Sequence, residues 1–139
     1  MTFRKPGEKL LAGPDKVWQE LSCDKQTLPH FVVEKNEVLP DTVSAGHEFN
    51  HRLVYSLCPS KPTEVFPGKL LREIHVKEKP VFQDAPADIE LKAGRWTVDS
   101  FVRVPPDAPA GVYSLVVRFE EPRLGFEKEK SFVVEKRAR

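Results

Sequence analysis

The amino-acid sequence predicts an all-β protein, an antiparallel β-sandwich of seven or eight strands with an N-terminal arm. Apolar and polar side chains alternate with a period of two over several short stretches, as they do in half-buried strands. The 13 prolines are scattered along the chain and fit corners between strands. No long stretch has the three- and four-residue apolar spacing of an amphipathic helix. Together these observations favour two packed sheets over an alternating α/β fold.

The change of pattern along the chain predicts an N-terminal arm over residues 1–29 and the sandwich over residues 30–139. Within the arm, Asp15 is placed to cap a short helix over residues 16–21, whose apolar side chains fall on one edge. So short a helix is unstable on its own, and we expect it to pack against the sandwich. An irregular arm is the alternative.

The strongest strand signal is the strict alternation over residues 47–57, which places Phe49, His51 and Tyr55 on one face. A second strand over residues 69–77 alternates less cleanly, because Arg72 interrupts its apolar face. The remaining predicted strands cover residues 31–38, 96–104, 112–119 and 126–135, with short pieces at residues 81–82 and 89–91.

A proline-rich corner separates two of these strands. Pro105, Pro106 and Pro109 stiffen the turn, and Gly111 then releases the chain into a strand that opens with Tyr113. We therefore predict a structural corner that depends on Gly111 and Tyr113.

Residues 30–135 resemble the generic bacterial immunoglobulin-like or fibronectin type III-like β-sandwich. The resemblance rests on residues 40–46, which enter a strand, on the corner at residues 104–113, and on the last strand at residues 131–134. It implies that the Tyr113 hydroxyl is tied back to the backbone of the corner. It also implies no disulfide at the usual inter-sheet place, because Leu115 stands where the second cysteine would be. It implies nothing specific about function.

Charge and hydropathy exclude some classes of partner. Lys and Arg number 22 against 21 for Asp and Glu, for a net charge of +1, and a clear basic excess would be expected of a nucleic-acid-binding protein. No segment is long and apolar enough to insert in a membrane. Residues 1–9 lack the apolar core of a secretion signal. We nevertheless expect a periplasmic or extracellular protein whose leader was removed, with a cytoplasmic location as the alternative.

Cys23 and Cys58 are the only cysteines, and they lack the spacing of a redox or zinc motif. In an exported protein, two cysteines favour a disulfide. Such a bond would attach the arm to the end of the long strand. Two buried free thiols are the alternative.

The histidines offer a weak case for a metal site. His47 and His51 share a face of one strand, but four residues along a strand span roughly 13 Å. Both could bind one ion only with help from His75 or a carboxylate on a neighbouring strand. No nucleophile elbow, phosphate-binding loop or dinucleotide motif occurs. We therefore expect no cofactor and no enzymatic activity.

The first functional hypothesis is a non-enzymatic binding or assembly module with a protein partner, acting through a sheet face or an edge strand. Its candidate edge lies within residues 70–82, around Arg72, His75 and Phe82, where the alternation is least regular. An ordinary edge strand is the alternative for these residues.

The second functional hypothesis is a carbohydrate-binding module, and the third is a histidine-based metal-binding protein. A carbohydrate site would need exposed aromatic rings, for which the candidates are Trp18, Tyr55, Phe82 and Trp96. Alternation places Tyr55 and Trp96 inward, which counts against this hypothesis.

Overall fold

The structure is a computed structural model that describes residues 6–136. These residues form ten strands, one α-helix and one 3₁₀ turn. In chain order they are β1 (Gly7–Ala12), α1 (Pro14–Glu20), the 3₁₀ turn (Cys23–Lys25), β2 (His30–Leu39), β3 (Thr42–Ser44), β4 (Glu48–Cys58), β5 (Phe66–Val76), β6 (Lys79–Gln83), β7 (Ala87–Leu91), β8 (Gly94–Arg103), β9 (Gly111–Glu120) and β10 (Phe126–Glu135). Within residues 6–136, no helix has the length and apolar character needed to cross a bilayer.

The strands form two sheets, which confirms the predicted β-sandwich. One sheet has the order β1-β8-β4-β2, and the other has the order β3-β10-β9-β5-β6, with β7 also paired to β5. One of the two sheets curls like half a barrel. Neighbouring strands are antiparallel except β3 and β10, which are parallel.

The described strands number ten, so the predicted count of seven or eight is too low. One missed strand is β1, which lies in the predicted arm and pairs with β8 at the edge of the four-stranded sheet. Its residues are exposed except Ala12, so it lacks the alternation that marks a half-buried strand. The other missed strand, β3, has only three residues, too few for a periodic signal.

The main core lies between the sheets and consists of the inward faces of the long strands. Phe49, Leu53 and Tyr55 on β4 are almost completely buried, as the alternation predicts. They pack in one cluster with Leu70 on β5 and Phe119 on β9. Full burial of one such side chain contributes roughly 1.5–3 kcal/mol, so these alternating faces hold the sheets together.

The short helix is present, but its beginning differs from the prediction. Gly13 is the N-cap residue and Pro14 occupies the first turn, where its missing N–H costs no hydrogen bond. Asp15 therefore lies inside the helix and does not cap it. The helix buries Val17 in a second, smaller cluster with Ala12 and the two cysteines.

Cys23 and Cys58 form a disulfide bond, in agreement with the prediction, and both residues are buried. The bond joins the 3₁₀ turn to the last residue of β4. It therefore fixes the N-terminal segment to a central strand of the four-stranded sheet.

The corner before β9 contains a short hydrogen bond. The Tyr113 hydroxyl donates to the main-chain carbonyl of Pro109 over 2.6 Å. At Gly111, φ is +155° and a Cβ atom would meet nothing within 4 Å. Backbone conformation, rather than a lack of space, therefore favours glycine there.

Removing the disulfide will destabilise the protein. We expect the Cys23→Ala/Cys58→Ala variant to unfold with a free energy lower by roughly 3–4 kcal/mol, because the bond closes a long loop in the unfolded chain. Urea unfolding with and without a reductant measures this difference. Reductant should destabilise the native protein and leave the double variant unchanged. Equal stability of the two proteins without reductant would contradict the prediction.

Removing the Tyr113 hydroxyl will also destabilise the protein. We expect Tyr113→Phe to lower the free energy of unfolding by about 1–2 kcal/mol, because the Pro109 carbonyl loses its donor. Thermal or urea unfolding measures the change. The control is Ser131→Ala, which removes an exposed hydroxyl from β10 and should have little effect. A loss no larger than that of the control would show that the bond does not stabilise the corner.

Candidate functional site

Two hollows lie on either side of β1. The first, which we call the outer hollow, has a volume of about 880 Å³ and lies on the outer face of the four-stranded sheet. The second, which we call the inter-sheet cleft, has a volume of about 870 Å³ and is lined by residues of both sheets. Pro6, Gly7 and Glu8 line both hollows.

Strand register builds the floor of the outer hollow. Lys9, Thr97, Val54 and Lys35 lie side by side on β1, β8, β4 and β2. Neighbouring strands are about 4.8 Å apart, so the two lysines stand on opposite sides of a floor made by Thr97 and Val54. Both lysines are exposed, whereas Thr97 and Val54 are buried.

Two arginines of the outer hollow are held by ion pairs. Arg52 binds Asp99 through two hydrogen bonds, Nε to Oδ1 at 2.8 Å and Nη2 to Oδ2 at 2.9 Å. The hydrogen bond to Asp99 raises the pKa of Arg52. Arg95 donates from Nε to the Ser56 hydroxyl and from Nη2 to Glu20 on α1, both at 2.9 Å. The helix is thereby attached to the edge of the hollow.

Thr97 differs from these charged neighbours. It is only 4% exposed, and its hydroxyl has no hydrogen-bond partner within residues 6–136. An unpaired buried hydroxyl costs free energy, about 1–3 kcal/mol by mutational measurements. The hydroxyl is therefore an unsatisfied polar group beneath the surface of the floor.

The inter-sheet cleft opens between β1 and β8 on one side and β5 and β7 on the other. Two ion pairs involve lysines that line it. Lys92 binds Glu8 at 2.8 Å, and Lys69 binds Asp88 at 3.0 Å. Arg72 also lines the cleft, although the residue as a whole is only 3% exposed.

Arg72 forms a polar bridge between the sheets. Its Nε donates to Nδ1 of His51 over 2.9 Å, and His51 Nε2 lies 2.6 Å from Oδ1 of Asn36. A guanidinium group only donates, so Nδ1 must be the unprotonated nitrogen. The neutral ring therefore carries its proton on Nε2 and donates it to Asn36.

Burial and the neighbouring Arg72 keep His51 uncharged. Burial, and after it the positive charge of Arg72, lowers the pKa of His51 from 6.5 to about 3. Burial also lowers the pKa of Arg72, against the attraction of Asp84. With one ring nitrogen accepting and the other donating, His51 has no lone pair left for a metal ion.

The predicted edge residues do not share one surface. Arg72 points into the interior, whereas His75 is partly buried and lies 3.0 Å from Glu73. Phe82 on β6 is partly buried and packs against the main core. The described residues contain no group of three or more His, Cys, Asp or Glu side chains that could hold a metal ion.

The aromatic candidates also lie apart from each other. Tyr55 is completely buried, and its hydroxyl accepts the main-chain N–H of Lys92, with burial raising its pKa. Trp96 packs against the core, with the Lys92 ammonium 4.3 Å from its ring centroid. Trp18 is 36% exposed and lines a hollow of about 300 Å³ together with Pro14, Asp15 and Ser60.

The outer hollow was not predicted from the sequence. Its lining comes from four strands and the helix, which are far apart along the chain. One sequence signal does point to it. Arg52 and Asp99 lie on the faces opposite the apolar residues of their strands, and register alone brings them together.

Comparisons with known proteins find similar folds among solved structures. No family model matches the sequence, and no curated protein matches it. A β-glucosidase from Listeria innocua is structurally similar, with a TM-score of 0.54 and 13% identity over 78% of this chain. A family 123 glycoside hydrolase from Clostridium perfringens has a TM-score of 0.51 and 12% identity over 94% of this chain. A third is Spo0M, a sporulation control protein from Bacillus subtilis, with a TM-score of 0.42 and 11% identity over 79% of this chain.

The chain is therefore a β-sandwich structurally like parts of the two glycoside hydrolases. It spans only 16%, 26% and 49% of the three similar chains. At such low identity, the similarity shows the fold alone.

The pKa of His51 predicts a specific pH dependence. A histidine with a folded-state pKa of about 3 and an ordinary value of 6.5 contributes stability above pH 6.5 and loses it as the pH falls towards 3. We expect a loss of about 1.4 kcal/mol per pH unit within this window. Urea unfolding at several pH values measures it.

The His51→Gln variant should lack this component of the pH dependence, because glutamine does not titrate. His47→Gln is the matched control, since His47 is exposed, and should retain the slope of the native protein. Parallel slopes for the native protein and His51→Gln between pH 6 and pH 4 would contradict the prediction.

Proposed function

We propose that this chain is a non-enzymatic binding module that recognises a protein partner through the outer hollow. The observation that carries the proposal is the Thr97 hydroxyl, which is buried in the floor and has no partner in residues 6–136. A partner that enters the hollow would supply the missing hydrogen bond once the side chains that cover the hydroxyl move aside. The outer hollow thus replaces the edge around Arg72, His75 and Phe82 as the proposed binding surface.

The charge pattern favours a protein over other partners. Both signs of charge line the hollow, including Lys9, Lys35, Glu34 and Glu37. Such a mixed surface complements the mixed surface of another protein and gives specificity by charge pairing. Nucleic acid would favour an excess of basic residues, and carbohydrate would favour an aromatic ring, which the lining of this hollow lacks.

The ion pairs support a binding role rather than an enzymatic one. Asp99 is a buried carboxylate of the hollow, and Arg52 holds both of its oxygens. Because both oxygens of this carboxylate accept hydrogen bonds from Arg52, it is poorly placed for proton transfer to a substrate.

Reversing the two exposed lysines of the hollow should abolish partner binding. We expect the immobilised native chain to retain one or more proteins from a lysate of its source organism. We expect Lys9→Glu/Lys35→Glu to lose them, because like charges would then face each other. Quantitative mass spectrometry of the retained proteins measures the loss.

Lys61→Glu/Lys79→Glu is the matched control, since it reverses two exposed lysines outside the hollow. It should retain the same proteins. Unchanged thermal unfolding of both variants would show that the fold is intact. Retention by the hollow variant at the native level would refute the proposal.

A carbohydrate-binding module is the second candidate function, and the observation that favours it is Trp18. Its exposed ring lines a small hollow with Asp15 and Ser60, which combines a stacking surface with polar groups. Binding on a glycan array that Trp18→Ala removes and Lys9→Glu/Lys35→Glu retains would favour this candidate over a protein partner. The histidine-based metal site finds no support in the described geometry.

We also propose that the sandwich is a divergent immunoglobulin-like domain. The order β10-β9-β5-β6 corresponds to strands G, F, C and C′ of such domains, and β2-β4-β8 corresponds to A, B and E. The Tyr113 bond to Pro109 corresponds to the tyrosine corner. The departure is β1, which takes the place beside β8 that strand D would occupy.

The proposed location is an oxidising compartment, periplasmic or extracellular. The disulfide between Cys23 and Cys58 supports it, because such bonds persist mainly outside reducing cytosols. Titration of free thiols in denatured protein taken directly from its source cells tests this. Two reactive thiols would contradict it.

A further inference from the structure

We propose that the inter-sheet cleft is a second binding site, which receives a carboxylate group and holds it on the guanidinium of Arg72. The ligand class is an acidic side chain or a chain-terminal carboxylate of a partner protein. The site shares the β1 wall with the outer hollow, but Arg72, the residue that it depends on, lines only the cleft.

The unused donors of Arg72 carry the inference. Only 3% of the surface of Arg72 is exposed. Its one side-chain hydrogen bond within residues 6–136 is the bond from Nε to His51. The two terminal nitrogens make none to the described residues, although a guanidinium has five N–H donors. Arg72 lines the cleft, and its terminal nitrogens are not among the fully buried, unpaired atoms of residues 6–136, so a molecule bound in the cleft can reach them.

The neighbouring carboxylates do not satisfy these donors. Asp84 attracts Arg72 electrostatically, and the hydrogen bond between the two residues runs from the Asp84 main-chain N–H to the Arg72 carbonyl over 2.9 Å. This main-chain bond does not involve the guanidinium, which has no carboxylate partner at hydrogen-bond distance within residues 6–136.

Three of the four acidic residues that line the cleft are paired, and the fourth, Glu90, is exposed and has no ion pair within residues 6–136. Glu8 binds Lys92, Asp88 binds Lys69, and Asp99 binds Arg52. The charges of these three carboxylates are therefore largely compensated, whereas Arg72 has no ion pair within residues 6–136 and is attracted electrostatically by Asp84. A buried cation with free donors favours an anionic ligand, because a charge-assisted pair is stronger where water is excluded.

The geometry of the bridge favours a carboxylate in particular. Because His51 fixes Nε, the guanidinium plane is held in one orientation. A guanidinium edge presents two parallel N–H groups that match the two oxygens of a carboxylate. His51 acts here as a positioning residue and does not contact the ligand.

The experiment uses acetate as the probe and acetamide as its neutral match. Two-dimensional NMR of the ¹⁵N-labelled chain follows the amide signals of Gly68 and Ser100, which line the cleft, and the side-chain Nε–H signal of Arg72. We expect acetate to shift these signals in a saturable manner. We expect acetamide to leave them unchanged.

Arg72→Lys keeps the charge and removes the planar pair of donors, so acetate should bind at least about ten-fold more weakly. Arg118→Lys is the matched control, because Arg118 is a half-exposed arginine outside the cleft that pairs with Glu127. It should bind acetate like the native protein. Thermal unfolding and the signals of residues remote from the cleft show whether each variant is folded.

Three results would overturn the proposal: no saturable shift with acetate, an equal response to acetamide, or native affinity in a folded Arg72→Lys. Should Arg72→Lys fail to fold, the native comparison of acetate with acetamide still decides. The Lys9→Glu/Lys35→Glu variant should bind acetate normally. The experiments therefore distinguish failure of the outer-hollow proposal from failure of the cleft proposal.

Discussion

The hydrogen bond from Arg72 to His51 crosses the space between the two sheets and sets their relation to each other. Arg72 belongs to β5 and His51 to β4, strands that lie within different sheets. Apolar contacts are non-directional and tolerate small shifts, whereas a buried hydrogen bond fixes distance and orientation. The bond also reaches β2 through Asn36, so three strands must keep their positions for the buried groups to remain satisfied.

Stability alone does not account for this bridge. Replacing buried charged groups with apolar side chains of similar size often leaves stability unchanged or raises it, because desolvation offsets the attraction. Arg72 is desolvated enough for its pKa to fall, and its terminal nitrogens remain without a hydrogen bond inside the described chain. The desolvation of Arg72 costs free energy, and His51 fixes the orientation of its guanidinium. Both properties suit a side chain that binds a ligand.

The sequence predicts the long strands well, because apolar residues recur at every second position along them, as over residues 47–57. It also shows that Arg72 and His51 each stand on an inward face. It does not show that they meet, because the alignment of two sheets depends on packing between residues far apart in sequence. The sequence also does not indicate the hairpin turn between β5 and β6, for a different reason. Lys77 and Glu78 adopt positive φ angles of 50° and 69°, where asparagine and glycine would give a recognisable signal.

The N-terminal segment contributes to both hollows because of where it lies in the fold, although its sequence lacks the alternation of a half-buried strand. Its exposed strand β1 forms one wall of both hollows, because its two faces look towards different sides of the four-stranded sheet. Four attachments hold that segment: the pairing of β1 with β8, the ion pairs Glu8–Lys92 and Glu20–Arg95, and the disulfide at Cys23. The cysteines line neither hollow, yet the disulfide limits how far the N-terminal segment can move. Binding in either hollow and stability of the N-terminal segment are therefore coupled, since a ligand that contacts β1 also holds it in place.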